Sequence, residues 1–498
     1  MLYASSFLVF TVIMGHKDIT KLTKIIATIG PSSDSPETIE KLLKLGVNVF
    51  RFNLKHNEIS WHEERIQRVH DIAKKLDFPI TVFIDLQGPE IRINVAGDGI
   101  ELKKGDRVSI VRENPEGKSF TISHPDVIAH LKKGESIVID DGRFYFTVDE
   151  ASKDTCVLEC LSEGLLKTRK TMNVPGSSFP LPVLTPKDVD AIKMARNVQI
   201  DYVALSFVRS KSDIVELKEV LKKLSIEARV ISKIETKLAI DNIDEIIKAS
   251  EGIMVARGDL GIELPMEQVP YYQKLIIQKC LERGIPVITA TQMLHSMTER
   301  PTPTRAEVSD IANAVYDATD TLMLSEETAA GAYPEKAVET MSKVAHFTEE
   351  KKMIVDTRLE FEFDILDTEE MMCDTAYNLY LQFLTQNIEV GGFVVFTQTG
   401  RTARKLSRYR PNVPIYVFAP DEKVKGNLSL SFAVVPFVQP KIYEKNRIIR
   451  VEDMQQAVSY LAEKNLLDRT KHHILLYGDS WRVEGGTSTV RVIPPQKD

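Results

Sequence analysis

Four segments, 228–235 (ARVISKIE), 252–260 (GIMVARGDL), 286–293 (PVITATQM) and 321–327 (TLMLSEE), share one design. Each opens with a short run of apolar, largely β-favouring residues and closes on a polar or charged side chain. Continuous apolar runs of this length suit strands covered by helices on both faces of a parallel sheet. Upstream, 24–30 (KIIATIG), 47–53 (VNVFRFN), 80–86 (ITVFIDL) and 201–208 (DYVALSFV) have the same form. Between them, stretches such as 37–45 and 212–224 carry apolar residues at helical spacing. Eight strand–helix alternations predict a (β/α)8 TIM barrel. On pattern alone, a doubly wound sheet of two halves competes with it.

The alternation breaks once. More than 100 residues separate the third and fourth strands, and they carry alternating runs such as RVSIV (107–111), SIVID (136–140), FYFTV (144–148) and CVLEC (156–160). Gly-, Asp- and Asn-containing turns lie between these runs, a hairpin signature. This predicts an inserted β-barrel-like lid domain at 88–183, hinged on Gly88-Pro89 and on Pro180-Leu181-Pro182. The barrel is then discontinuous, 21–87 and 184–355. From about 356 to 498 the pattern restarts (GGFVVFTQTG, PIYVFAP, AVVPFV, HHILLYG, TVRVIP), predicting a C-terminal open α/β domain. Residues 1–20 are expected to be an N-terminal extension. Its apolar run 2–14 is too short to span a bilayer and no basic residue precedes it, so a secretory signal is not expected. Met14-Gly15-His16 offers an alternative start.

Apolar residues are 43% and charged residues 27% of the 498, an ordinary globular composition that excludes disordered, collagenous and multi-span membrane classes. A formal net charge of −7 lacks the field of a general nucleic-acid binder. No nucleic-acid or membrane partner is expected. Cys156, Cys160, Cys280 and Cys373 are too few and scattered for a disulfide framework, and Cys156 and Cys160 lack a second ligand pair for zinc. All four are read as thiols in a reducing cytoplasm.

Barrel active sites gather at the C-terminal ends of the strands. Those ends here carry Arg51 and Asn53, Asp85, Ser206, Lys233 and Glu235, Asp259, Thr291 and Ser325. Strand period two places Lys233 and Glu235 side by side, as an ion pair or as part of a site. Asp259, ending the next strand, adds a second carboxylate, and together they make a sparse oxygen-ligand site suited to Mg²⁺ or Mn²⁺. The turn Ala256-Arg257-Gly258-Asp259-Leu260-Gly261 would offer backbone N–H groups to a carboxylate-sized anion, or would simply be a capped turn. Arg51, Arg92 and Lys170 are candidate phosphate holders, since a bidentate arginine with a lysine point charge suits that anion. Metal, anion turn and phosphate clamp together point to phosphoryl transfer on a small acid. Walker A and kinase-type Gly-rich loops are both missing from the sequence. In the C-terminal domain, Thr397-Gln398-Thr399-Gly400-Arg401-Thr402 is a candidate phosphate cradle for an effector. Trp481-Arg482 and Gly485-Gly486-Thr487 lie on a later loop that could cover it; an ordinary capped turn is the competing reading.

The segments KIIATIGPSS (24–33), GPEIR (88–92), DDG (140–142), NVPG (173–176), ISKIE (231–235), VARGDLGIELP (255–265), ATQML (290–294), RPTPTRAEVSDIANAV (300–315) and the MLSxET element at 323–328 resemble the pyruvate kinase family over nearly the whole chain after residue 20. That resemblance implies transfer of a phosphoryl group from phosphoenolpyruvate to ADP, giving pyruvate and ATP in glycolysis. It implies that Lys233 stabilises the transferring group and the enolate, and that Arg51 and Arg92 hold phosphate. Glu235 and Asp259 would bind Mg²⁺ or Mn²⁺. Gly258, Asp259, Ser206 and Thr291 would meet the substrate, while Thr291 and Ser325 lie on the proton path. Arg51, His56, Lys170 and Asp141 would meet the nucleotide, with the insert acting as a lid. A phosphorylated effector at Thr397, Thr399, Gly400, Arg401 and Thr402 and a homotetramer are implied in the same way.

The chain departs from the family pattern at Asn53-Leu54-Lys55-His56-Asn57, Asp85-Leu86-Gln87-Gly88-Pro89, Lys170-Thr171-Met172-Asn173 and Ser325-Glu326-Glu327-Thr328. Lys55 replaces a serine that in the family helps Asn53, Asp85 and the Leu86 carbonyl hold K⁺. Its ammonium is expected to sit among those groups near Asp85, removing the K⁺ requirement; pointing to solvent is the other reading. A weakened homologue serving as a metabolite-binding regulatory protein, and an aldolase-type lyase, are the competing functions. Retention of Lys233, Glu235, Asp259, Arg51 and Thr291 favours the active kinase.

Overall fold

A computed structural model describes residues 21–352, 363, 365, 367–439, 451–478 and 486–495. The expected extension at 1–20, and Trp481, Arg482 and Gly485, lie outside the described residues. Eight parallel strands close into a barrel in chain order: β1 (Lys24–Thr28), β2 (Val49–Asn53), β3 (Thr81–Asp85), β4 (Tyr202–Leu205), β5 (Arg229–Ile234), β6 (Gly252–Ala256), β7 (Val287–Ala290) and β8 (Thr321–Leu324). Period two divides each strand between two cores. Ile26, Val49, Phe83, Tyr202, Ile231, Met254, Ile288 and Met323 fill the interior. Their neighbours, among them Ile25, Phe50, Val82, Val203 and Ile253, face the helices. Burial on both faces explains the unbroken apolar runs.

Helix starts follow local chemistry. Ser35 accepts from the Thr38 N–H to cap Pro36–Lys44, and Thr185–Asp188 and Thr304–Glu307 form capping boxes. The extended segment expected at 252–260 stops at Ala256, because its last cross-strand partner is Ala290; Arg257–Glu263 then turns into a helix. Asp259 therefore lies in the first turn of a helix rather than at a strand end.

Between β3 and β4, a seven-stranded sheet includes Arg107–Val111, Ser136–Ile139, Phe144–Ala151 and Thr155–Cys160; Ile100–Leu102 and Gly164–Leu166 form a separate pair. This part has its own core around Phe120, Phe144, Phe146 and Leu158. The C-terminal sheet comprises β9 (Val390–Phe396), β10 (Ile415–Ala419), β11 (Val434–Val438), β12 (His472–Tyr477) and β13 (Thr489–Ile493), in the order β11-β10-β9-β12-β13, parallel except for β13.

The C-terminal domain also stoppers the barrel. Segment 426–434 runs across the N-terminal ends of the barrel strands. Its carbonyls at Asn427, Leu430 and Val434 accept from Tyr202 Oη (2.8 Å), Thr321 Oγ1 (2.8 Å) and Lys24 Nζ (2.7 Å). Phe432 N donates to Asp320 (2.9 Å), and Thr81 Oγ1 donates to the Gly426 carbonyl. Leu430, 1% exposed, enters the interior cluster as its floor. A Cβ at position 426 would collide with the Asp201 carboxylate, so only glycine lets the segment approach this closely. The four cysteines are free and buried, and no described helix is long and apolar enough to cross a membrane.

Candidate active site

At the opposite mouth, β2, β3 and β5 bring Arg51, Asp85, Lys233 and Glu235 into one buried ionic cluster. Lys233 Nζ lies 2.8 Å from Glu235 Oε1 and 3.2 Å from Asp85 Oδ1, and donates to Ser206 Oγ at 2.8 Å. Arg51 grips Asp85 through Nε (2.8 Å) and Nη2 (2.7 Å), and its Nη1 donates to Thr28 Oγ1 (3.0 Å). Lys233 on β5 and Glu235 just past its end therefore form a real pair, and register brings Asp85 to it from β3.

The electrostatics follow from burial and pairing. Burial alone would lower the Lys233 pKa; Asp85, Glu235 and Asp259 together outweigh it and hold the ammonium above its ordinary value. Burial would raise Asp85, but Lys233 and Arg51 hold it below the usual carboxylate range. Glu235 goes the other way. Burial pushes it up to about 7; Lys233 pulls it down, while Asp259 adds repulsion. Its second oxygen accepts from Phe207 N–H at 2.6 Å.

An under-compensated buried carboxylate facing a second one is what a divalent cation would complete. Among the described residues no third His, Cys, Asp or Glu joins them. A two-carboxylate set suits Mg²⁺ or Mn²⁺, which keeps water and substrate oxygens as its other ligands.

Thr291 follows β7 with φ +71°, and Gln292 with φ +56°. A β-branched residue in the left-handed region is strained and is held only by its surroundings. Thr291 Oγ1 donates to the Ala290 carbonyl (2.6 Å) and accepts from Gly258 N–H (2.7 Å). Gly258 N–H, expected to be free for an anion, is thus occupied by the hydroxyl of a neighbouring site residue. Arg257 fixes this corner. It binds Asp310 through two nitrogens (2.7 and 2.8 Å) and donates to the carbonyls of Thr291 (2.8 Å) and Ala290 (3.2 Å). Ser325 N–H donates to Glu327 (2.7 Å), which also accepts from Leu294 N–H (3.1 Å), joining the ends of β8 and β7. Arg257 and Glu327 were not singled out from the sequence; their signal is an ionisable residue beside a strand-end polar group.

Several expected groups sit elsewhere. Lys55, expected beside Asp85, pairs instead with the buried Glu90, which also receives Arg92 (2.7 and 3.0 Å). Asp85 already has two cations, Arg51 and Lys233, whereas Glu90 needs cations to be buried at all. Burial would raise the Glu90 pKa; Lys55 and Arg92 hold it below the usual range. The three groups expected to hold a monovalent cation are also engaged. Asn53 Oδ1 accepts from Lys55 N–H (3.2 Å), the Leu86 carbonyl accepts from Ser206 Oγ (2.8 Å), and Asp85 is doubly paired. Arg92 also donates to the Arg169 carbonyl (2.9 Å), tying the hinge to the insert. Lys170 pairs with Asp140 (2.6 Å), not Asp141; both aspartates have positive φ, +58° and +53°. His56 is held below its ordinary pKa by partial desolvation and by Lys55, Arg51 and Arg92.

In the C-terminal turn, Gly400 (φ +81°) makes the bend and its N–H donates to Thr397 Oγ1 (3.0 Å). Arg401 pairs with Asp367 (2.5 Å) and Glu369 (3.1 Å), and Thr402 Oγ1 meets Glu369 (2.6 Å) and Thr487 Oγ1 (2.9 Å). Carboxylates thus occupy the groups expected to face a phosphate.

Two family models match the chain: the pyruvate kinase barrel domain over residues 20–338 and the pyruvate kinase alpha/beta domain over 381–493. Proteins named pyruvate kinase from Staphylococcus epidermidis (strain ATCC 35984) and Staphylococcus aureus (strain MRSA252) are 41% and 40% identical to it over 426 residues, covering 84% of this chain and 72% of theirs.

Proposed function

The chain belongs to the pyruvate kinase family, and from that premise we propose that the Lys233 cluster transfers the phosphoryl group of phosphoenolpyruvate to ADP. The enol C–O–P linkage breaks at the P–O bond, ADP gains the phosphoryl group, and the enolate left behind takes a proton at carbon to become pyruvate. Charge moves from phosphate onto the enolate oxygen, so the protein's task is electrostatic. The observation that carries this reading is a buried ammonium at 2.8 Å from Glu235 and 3.2 Å from Asp85, held positive and aimed into the barrel mouth.

Each neighbour then has a task. Arg51, braced by Asp85, presents its guanidinium to phosphate. Glu235 and Asp259 would hold Mg²⁺ or Mn²⁺, which supplies positive charge to substrate oxygens when bound. Gly258 and Thr291 meet the substrate carboxylate and the enolate face, the hydroxyl exchanging its Gly258 contact for the ligand. Ser325 completes the proton path. Arg92, His56, Lys170 and Asp141 lie toward the insert, where the nucleotide would enter and where residues 88–183 would close to exclude water. A homotetramer and a phosphorylated effector at the 397–402 turn belong to the same reading; the effector would have to displace Glu369 from Arg401 and Thr402.

We propose further that Lys55, neutralising Glu90 beside the cluster, makes the reaction independent of K⁺. The experiment is pyruvate formation from phosphoenolpyruvate and ADP with Mg²⁺, in K⁺ or in tetramethylammonium. Equal rates in both support the reading, and Lys55→Ser should then introduce a K⁺ requirement. Strong K⁺ activation of the unaltered chain contradicts the Lys55 role; no pyruvate in either medium contradicts the activity.

A further inference from the structure

We infer that a groove between the barrel floor and the C-terminal domain binds a small phosphate-bearing anion. The groove encloses about 730 Å3 and is lined by Lys218, Lys222, Arg229, Arg404, Glu227 and Glu251. Arg229 comes from the start of β5 and Arg404 from the helix Arg401–Ser407, so two domains each contribute a guanidinium. Both donate to one neutral acceptor, the Thr399 carbonyl, at 3.2 and 3.3 Å.

Charge in the groove is unbalanced. Glu251 is taken by Lys218 and by Val230 N–H (2.9 Å), and Glu227 by Lys423. Glu369, on the C-terminal side, is taken by Arg401 and Lys405. Among the described residues no carboxylate pairs with Arg229 or Arg404, and Arg404 Nη1 is buried without a hydrogen-bond partner. Burial, with Arg229 beside it, pushes the Arg404 pKa down to about 10. Two neighbouring guanidinium groups sharing a carbonyl are stable together only at a cost, which an anion would offset. Phosphate matches the planar donor fork of arginine. The volume exceeds what bare phosphate fills and falls in the ordinary range for small-molecule sites, leaving room for an organic moiety. Since its walls come from both domains, a ligand there would favour one relative placement of barrel and C-terminal domain.

The test uses the full chain, with inorganic phosphate and, separately, glycerol 1-phosphate. Hydrogen exchange is followed in the segments 225–230 and 399–404. Saturable slowing in 225–230 is expected, with affinity there reduced tenfold or more in Arg229→Gln and in Arg404→Gln; slowing confined to 399–404 and lost in Arg401→Gln would place the ligand at the 397–402 turn and overturn the proposal. Lys222→Gln, on a side chain with no ion-pair partner among the described residues, should weaken binding about threefold and guards against misfolding of the arginine variants. Slowing confined to the Arg51–Lys233 mouth would overturn the proposal, as would unchanged affinity in both Arg229→Gln and Lys222→Gln.

Discussion

Arg257 shows how much of the candidate site depends on a side chain committed to the protein itself. Its fork spans Asp310 and the two carbonyls that hold Thr291 in a left-handed conformation. Lysine keeps the charge but cannot make these contacts together. Arg257→Lys should therefore lower kcat by about ten- to a hundredfold, the scale at which small misplacements act, while the melting temperature moves little. Steady-state kinetics beside a thermal melt checks this; an unchanged kcat would remove Arg257 from the positioning of Thr291. Legibility differs among residues for the same reason. Strand-end position and period two lead to Arg51, Lys233 and Glu235 at the barrel mouth, whereas Asp259, read as ending a strand, lies in the first turn of a helix. Lys55 could not be placed, because its partner was decided by which carboxylate still lacked cations after folding. Asp85 had two; Glu90 had Arg92 and accepted Lys55.

Among elements, the strands were readable because the barrel buries them on both faces, and their ends were not, because pairing with the neighbour decides where a strand stops. β6 illustrates this, ending at Ala256 opposite Ala290 although polar residues continue the run. The entry to β1 carries a different lesson. Lys21 and Lys24 are buried, Lys21 donating to Asn48 Oδ1 (2.8 Å), and Glu349 accepts the Leu22 and Thr23 N–H groups (both 2.7 Å). Burial and Lys24 push Lys21 down to about 7, and burial pushes Lys24 down to about 8. Between pH 8 and 10 the unfolded chain binds more protons at these sites than the folded one, so stability contributed there rises with pH. Lys21→Met should flatten that rise by up to about 1.4 kcal/mol per pH unit. Denaturant melts at pH 8, 9 and 10 measure it; parallel curves for the two proteins would show that Lys21 stays charged when folded.

For the molecule as a whole, the barrel is closed at its floor by the C-terminal domain and open at its mouth to the insert. Leu430 belongs to the same interior cluster as Ile231 and Met254, one layer below the charged residues of β5. Leu430→Ala should cost about 2–5 kcal/mol, as for other buried leucines, and should loosen the C-terminal domain first, visible as faster exchange in segment 426–434. Loss of exchange protection only within the barrel would contradict this order. The three sets of strands were legible because each has its own rhythm; the stopper was not, since a run such as NLSLSFAVV reads locally as a loop and a strand. The central claim concerns the buried ammonium at the mouth. Lys233→Met, assayed for pyruvate from phosphoenolpyruvate and Mg²⁺-ADP against the unaltered chain, tests it most directly. Loss of one transition-state charge predicts a fall in kcat of about 10²–10³, with the KM for phosphoenolpyruvate within a few fold. A variant that turns over at close to the original rate would contradict the account.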